Sequence, residues 1–205
     1  MIKKNLEFFD NLKKEIKYAQ NLLGKTYSLN NEIKDILSLF YNTLKNKKKI
    51  FICGNGGSAS DAEHLSTEFL VRLRPKVNRK AFPIINLGNN LSFITACAND
   101  YNFEMIFQRS LEPLVAKGDV LWVLSTSGNS KNIIRVLKYA KNKKIKTVSF
   151  LGKNGGLAKK YSDINLIVPS NNTARIQEIH KFVGHFILEH TENKLIKKKL
   201  IIKNE

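Results

Sequence analysis

"FICGNGGSASDAEHLSTEF", residues 51–69, starts as an apolar run, turns on Gly54, Gly56 and Gly57, and enters a segment carrying His64 and Glu68. A buried strand ending in a glycine turn and feeding a helix is the building unit of a parallel α/β sheet. The two halves of the stretch suit different chemistry. At the turn, backbone N–H groups and the N-terminus of the helix face an oxyanion such as phosphate. Beyond it, His64 and Glu68 stand at i and i+4, on one face of one helix, where a pair of this kind holds a metal or moves a proton.

The same rhythm continues outward. Five short apolar runs, "KIFICG" (49–54), "FPIINL" (82–87), "DVLWVLS" (119–125), "KTVSFLG" (146–152) and "DINLIVPS" (163–170), alternate with helical stretches at 58–74, 90–116, 131–143 and 173–200. Buried strands alternating with helices predict a mostly parallel sheet covered on both faces. Such sheets bind ligands beyond the carboxyl ends of their strands. Ahead of them, residues 4–24 and 29–47 carry apolar side chains at three- and four-residue spacing, from Leu6 and Phe9 to Phe40 and Leu44, and read as two amphipathic helices. The organisation expected is an N-terminal helical segment (1–48), one α/β sandwich (49–193) and a basic tail (194–205).

Composition bounds the class. A chain of 205 residues, 42% of them apolar, can bury one sizeable core. No apolar run approaches the about 18 residues that a membrane span needs, and "MIKKNLEFFDNLKKEIKYAQ" lacks the apolar core of a signal peptide. Cys53 and Cys97 sit in apolar settings, so a disulfide framework is not expected. These features predict a cytoplasmic protein. The net charge of +18 invites a nucleic-acid reading. The positive charge is nearly all Lys and is dispersed: residues 131–160 hold nine Lys, one Arg and no acid. With no nucleic-acid-binding signature and no cluster of aromatics for base stacking, the charge reads as solvated surface that helps attract an anionic substrate. No membrane and no specific nucleic-acid partner is expected.

Each motif has a plain structural alternative. Gly54-Asn55-Gly56-Gly57-Ser58-Ala59 fits the dinucleotide pattern formally, yet the acid expected about 20 residues later is missing from "RLRPKVNRK" (72–80). No G-K-[ST] follows, which excludes a P-loop. The turn thus binds an oxyanion, or merely turns with Ser58 capping the helix. Ser125-Thr126-Ser127-Gly128-Asn129-Ser130 follows a second buried strand and precedes a second helix. Capping needs one hydroxyl, and this density of donors favours a phosphate. Arg72 stands one turn beyond Glu68, to balance an anion or to pair with Glu68. Late in the chain, Gln177, His180, His185 and His190 share one helical stretch. Zinc takes nitrogen and oxygen ligands in tetrahedral sets, although the H-E-x-x-H spacing of metalloproteases is absent. Gln177 and His185 stand roughly 12 Å apart along a helix, so their side chains must lean together or a neighbouring subunit must contribute. His180 is a rival ligand.

"GNGGSASDAEH", "ANDYNFE", "STSGNS" and "TARIQEIHKFVGH" occur in an order that closely resembles the phosphoheptose isomerases, built on the sugar isomerase (SIS) domain. The resemblance reaches from the second helix to about residue 192. It implies a three-layer α/β sandwich around a five-stranded sheet, and a homotetramer with active sites near subunit interfaces. Matched position by position, it implies substrate contacts at Asn55, Gly56 and Gly57, at Asn99 and Asp100, and at Ser125, Thr126, Ser127 and Ser130. It implies one zinc per subunit on His64, Glu68, Gln177 and His185, with Glu68 and Gln177 also touching substrate. Glu68 and His185 match the family's base and acid. The implied reaction turns sedoheptulose 7-phosphate into glycero-manno-heptose 7-phosphate through an enediol, feeding nucleotide-activated heptose for surface polysaccharide. One strand–turn–helix then serves both needs: its turn binds along the sugar, and its helix presents Glu68 to the reacting end. The competing readings are a non-catalytic SIS protein that senses phosphosugars or assists replication, and an isomerase of another phosphosugar. His64, Glu68, Gln177 and His185, all present, favour the enzyme. The basic tail matches nothing in the family.

Overall fold

Strands β1 (Ile50–Gly54), β2 (Ile84–Asn86), β3 (Val120–Ser125), β4 (Lys146–Gly152) and β5 (Ile164–Val168) pair in the order β2-β1-β3-β4-β5, every pair parallel. This sheet belongs to a computed structural model that describes residues 2–198, with side chains from residue 7. Seven helices accompany it: α1 (Ile2–Thr26), α2 (Asn30–Lys45), α3 (Gly57–Thr67), α4 (Leu91–Asp100), α5 (Ile106–Leu111), α6 (Lys131–Asn142) and α7 (Thr173–Lys197). None of the described helices is long and apolar enough to cross a membrane.

Alternation along the strands sends side chains to opposite faces. Ile50, Ile52, Trp122, Leu124, Val148, Phe150, Leu166 and Val168 join a core with residues of α2, α3 and α7. Phe51, Cys53, Leu121, Val123 and Leu151 join a second core with residues of α4, α5 and α6. The result is a three-layer sandwich, and burial on both faces is why the strands read as unbroken apolar runs. Trp122 lies fully buried between Phe40 of α2, at 5.1 Å, and Phe150 of β4, at 5.0 Å between ring centroids. Through Phe40, with Ile36 and Leu44, α2 is part of the main core. The outer side of α1 is different: Phe8, Phe9, Leu12 and Ile16 are all exposed.

Two helices depart from their expected extents. The spacing predicts one helix over 90–116; the chain instead breaks after Asp100, with Asn102 extended at φ −171° and ψ 161°, and resumes through a 3-10 turn (Phe103–Met105) into α5. The helix predicted over 58–74 is α-helical only to Thr67 and widens to a π-turn over Glu68–Arg72. α7 runs unbroken past residue 193 to Lys197, and residues 199–205 of the basic tail lie outside the described residues.

The topology places the site. The chain leaves β1 for β2 on one side and crosses to β3 on the other, so the strand order reverses between β1 and β3. Crevices at such switch points, beyond the carboxyl ends of the strands, are where open α/β sheets bind ligands. Gly54 ends β1 and pairs with Leu124, next to Ser125 at the end of β3. The two glycine- and serine-rich turns therefore emerge side by side.

Candidate active site

At the end of β1, Gly56 takes φ +55° with ψ −125°, a left-handed conformation that suits glycine. The following residue opens α3. Ser58, a candidate cap, instead lies buried inside the helix, whose N-cap is Gly56 with no side-chain capping bond. Asn55 turns its amide toward the second turn. Its Nδ2 donates to Asn132 Oδ1 and its Oδ1 accepts from Asn132 Nδ2, both at 2.9 Å. Asn132, on the first turn of α6, is buried, so this reciprocal amide pair locks the two turns at a fixed separation.

In the second turn, Ser125 Oγ accepts from Gly128 N at 3.2 Å and Ser127 Oγ accepts from Asn129 N at 3.1 Å. Thr126 and Ser127 are half-buried. Ser130 occupies the N-cap of α6 without making a side-chain capping bond. The hydroxyl thus does not close the helix start, and the positive end of the helix there suits an anion. Asn99 and Asp100 are not gathered in. They lie exposed at the end of α4 and hydrogen-bond each other at 2.9 Å, and no hydrogen bond joins them to either turn among the described residues.

α3 and α7 face each other along a ladder. Gly57 lies against the amide of Gln177. One turn on, Lys181 Nζ meets the buried Asp61 Oδ1 at 3.0 Å. One turn further, His64 Nε2 and His185 Nε2 stand 2.8 Å apart with the rings nearly perpendicular. Residues 177, 181 and 185 share one face of α7 because four residues make about one turn, and the facing residues of α3 keep step. The approach depends on Gly184: a Cβ there would come within 2.8 Å of Leu65 Cδ1.

Glu68 completes the cluster, with Oε1 3.4 Å from His64 Nε2. The ligand atoms of His64, Glu68 and His185 all lie within 4.8 Å of one another, a set that could hold a metal ion. One chain brings these three together. Gln177 stays two turns back on the ladder, against Gly57, in a pocket shared with Ser60, Asp61 and Lys181. Arg72 makes no ion pair with Glu68 among the described residues; the carboxylate's partner is His64. His185 has its pKa lowered, first by removal of the ring from water, then by the nearby imidazole of His64 and by Lys181, with Glu68 and Asp61 opposing. This favours the neutral imidazole, the form that ligates metals.

The rival ligand is excluded by its position. His180 is fully buried, packs on Phe150 and donates from Nε2 to Leu151 O at 3.0 Å. Burial pushes its pKa down to about 4, against smaller raising effects from Leu151 and Asp61. His190 lies exposed, bonded to Phe186 O and stacked on the Phe186 ring.

Comparison with known proteins identifies the family. A family model for the SIS domain matches residues 16–152. The chain is 45% identical over 185 residues to the phosphoheptose isomerase of Helicobacter pylori, a match that covers 89% of this chain and 95% of that protein. The chain belongs to the phosphoheptose isomerase family of SIS-domain proteins. The phosphoheptose isomerase of Clostridium acetobutylicum is 44% identical over 169 residues, covering 82% and 85% of the two chains. A solved phosphoheptose isomerase from Francisella tularensis superposes with a TM-score of 0.86 at 29% identity, over 90% of this chain and 98% of that one.

Within this family member, several site residues escape sequence reasoning. Asn132 carries no motif, and its one signal is an amide placed just inside an apolar-faced helix. Asp61 and Lys181 look like ordinary helix-surface charges until α3 and α7 are set side by side. Arg79 sits in a stretch read only as basic, yet it is buried against Glu192, seven residues beyond His185.

Proposed function

We propose that this family member interconverts D-sedoheptulose 7-phosphate and D-glycero-D-manno-heptose 7-phosphate through an enediol. The observation that supports this most directly is the convergence of His64, Glu68 and His185 across α3 and α7, further along the same helix that the first anion-ready turn opens. The turn of Ser125, Thr126, Ser127 and Ser130 receives the phosphate. Asn55, Gly56 and Gly57 lie along the sugar, Gln177 contacts it from α7, and Asn99 with Asp100 close on it from the end of α4. Glu68, a carboxylate at the first residue of the π-turn, takes the proton from C1. His185 gives a proton to O2; Glu68 then returns its proton to C2 as O1 gives its proton to His185, which forms the aldehyde and restores both groups. A positioned acid or base of this kind is worth ~10²–10⁴-fold in rate.

The donor set suits zinc, which takes imidazole nitrogen and carboxylate oxygen. His64, Glu68 and His185 would hold the ion, one per subunit; Gln177 stands two turns away in the same chain, so a fourth ligand from Gln177 would come from a neighbouring subunit. When bound, zinc supplies Lewis-acid polarisation of the sugar's carbonyl and hydroxyl oxygens. The protein works in the cytoplasm as a homotetramer: the exposed apolar face of α1, with Phe182 and Phe186 of α7, is the surface that assembly would cover. Its product supplies nucleotide-activated heptose for lipopolysaccharide or capsule. Residues 1–48 act as the helical segment, 49–193 as the phosphosugar-binding unit and 194–205 as a basic appendage.

The test is direct. Purified protein incubated with sedoheptulose 7-phosphate should give the aldose by NMR, and Glu68→Gln should lower turnover by at least about 100-fold with phosphosugar affinity retained. Binding of the phosphosugar without any turnover by the unaltered protein would instead mark a non-catalytic sensor.

A further inference from the structure

We propose that Arg79, held by Glu192, is a positioning residue for Glu68. This rests on the reading of Glu68 as the base. The π-turn over Glu68–Arg72 ends the helix that carries Glu68, and the last carbonyls of any helix lack intrahelical donors. Arg79 supplies donors here, alongside Phe82 N, which also donates to Phe69 O at 3.0 Å. Arg79 Nη2 donates to Glu68 O at 2.8 Å, and its Nη1 donates to Phe69 O at 2.9 Å and to Lys80 O at 3.1 Å. Its Nε donates to Glu192 Oε1 at 2.5 Å. The guanidinium also lies over the rings of Phe69, at 5.0 Å, and Phe82, at 5.6 Å.

Both partners are buried, Arg79 to 4% and Glu192 to 0% exposure. A buried ion pair is a poor source of stability, because desolvating two charges offsets most of their attraction. What this one provides is geometry. Glu192 lies two turns beyond His185 on α7, so the clamp ties the backbone carbonyl of Glu68 to the same helix that carries His185. The distance between the proposed base and acid is thereby set from one rigid element. The planar fork of Arg meets a carboxylate and three carbonyls at once, and a Lys ammonium, a single point on a flexible stem, cannot reproduce that. Arg74 provides the contrast: it also binds Glu192, at 2.7 Å, but it otherwise reaches Asn193 and Glu189 on the same helix, and among the described residues no hydrogen bond joins it to Glu68 O.

The experiment is a double-mutant cycle on the full chain, with turnover of sedoheptulose 7-phosphate and calorimetric affinity as readouts. Arg79→Lys should lower kcat roughly 10- to 100-fold, as misplacement of a catalytic group by about 1 Å does, with KM and affinity within about twofold. Arg74→Ala should leave kcat within about twofold. In a Glu68→Gln background, Arg79→Lys should cost nothing further, since residues acting as a unit are not additive. Wild-type kcat in Arg79→Lys overturns the proposal. So does a full additional loss in the Glu68→Gln background, which would mark general disturbance, or an equal loss in Arg74→Ala. Near-normal turnover of Glu68→Gln alone removes the base assignment and this proposal with it, whereas an inactive Glu68→Gln beside an active Arg79→Lys removes only the role of Arg79. If Arg79→Lys does not fold, Glu192→Gln, which replaces the charged acceptor of Arg79 by a weaker neutral one, carries the same cycle, with wild-type kcat again the overturning result.

Discussion

Replacing Gly57 by Ala should separate function from stability. Gly57 is the first residue of α3, in helical backbone that Ala adopts readily. A Gly→Ala change at a compatible position stabilises by about 0.4–1 kcal/mol. The added Cβ, however, would lie 3.0 Å from both Cδ and Oε1 of Gln177, and nearer still to its Nε2. Ordinary contact between such atoms is about 3.5–4.0 Å, so the amide, whose Nε2 is the nearest atom, must retreat by roughly 1 Å or more. It sits at the end of a flexible side chain and can rotate away without parting α3 from α7. Stability should therefore stay within about 1 kcal/mol of the unaltered protein, a shift of a few degrees at most in Tm for a chain of this size. Activity should respond differently, because an error of about 1 Å in a contact residue costs up to ~10²-fold. Thermal unfolding measured beside NMR turnover of sedoheptulose 7-phosphate reads both quantities. Wild-type turnover in Gly57→Ala would refute the assignment of Gln177, in this pose, to the substrate. The cycle has an internal check: in a Gln177→Ala background the clash is gone, so Gly57→Ala should have no further effect.

Two further outcomes follow from the histidines. His180 has a native pKa of about 4 against about 6.5 in an unfolded chain, so between these values the unfolded chain binds the extra proton. Its contribution is complete above the unfolded value and is lost as pH falls toward the native one, amounting to about 2 kcal/mol between about pH 7 and about pH 5. Denaturant unfolding at the two pH values, at fixed protein concentration, should show this loss for the unaltered protein and a correspondingly smaller one for His180→Asn; equal losses would contradict the burial argument. Metal analysis after chelator-free purification should find about one zinc per chain, lost in His185→Ala and kept in His180→Asn, because His180 spends its donor nitrogen on Leu151; the reverse pattern would move the site onto His180.

Local patterns determined a great deal of this molecule. Five apolar runs alternating with helical stretches suffice for a parallel sheet covered on both faces, since strands buried on two sides must be apolar throughout. The pairing of His64 with Glu68 follows from helix geometry alone, as four residues make about one turn. Breaks that depend on a single backbone angle, such as the extended Asn102 inside the 90–116 stretch, leave little trace in periodicity. The resemblance carried the remaining site residues and grouped His64, Glu68, Gln177 and His185 on one ion, but it did not say which of them meet within a single chain. That was decided by the register of α3 against α7, two helices whose histidines are 121 residues apart in the chain. In this register His185 meets His64, Asp61 meets Lys181, and Gln177 is left against Gly57. The same packing sends His180, one turn and one residue short of His185, into the core, and it buries Arg79 against Glu192. Helical spacing places side chains on a face, but only the partner helix determines which faces come together and which residue of each lies opposite.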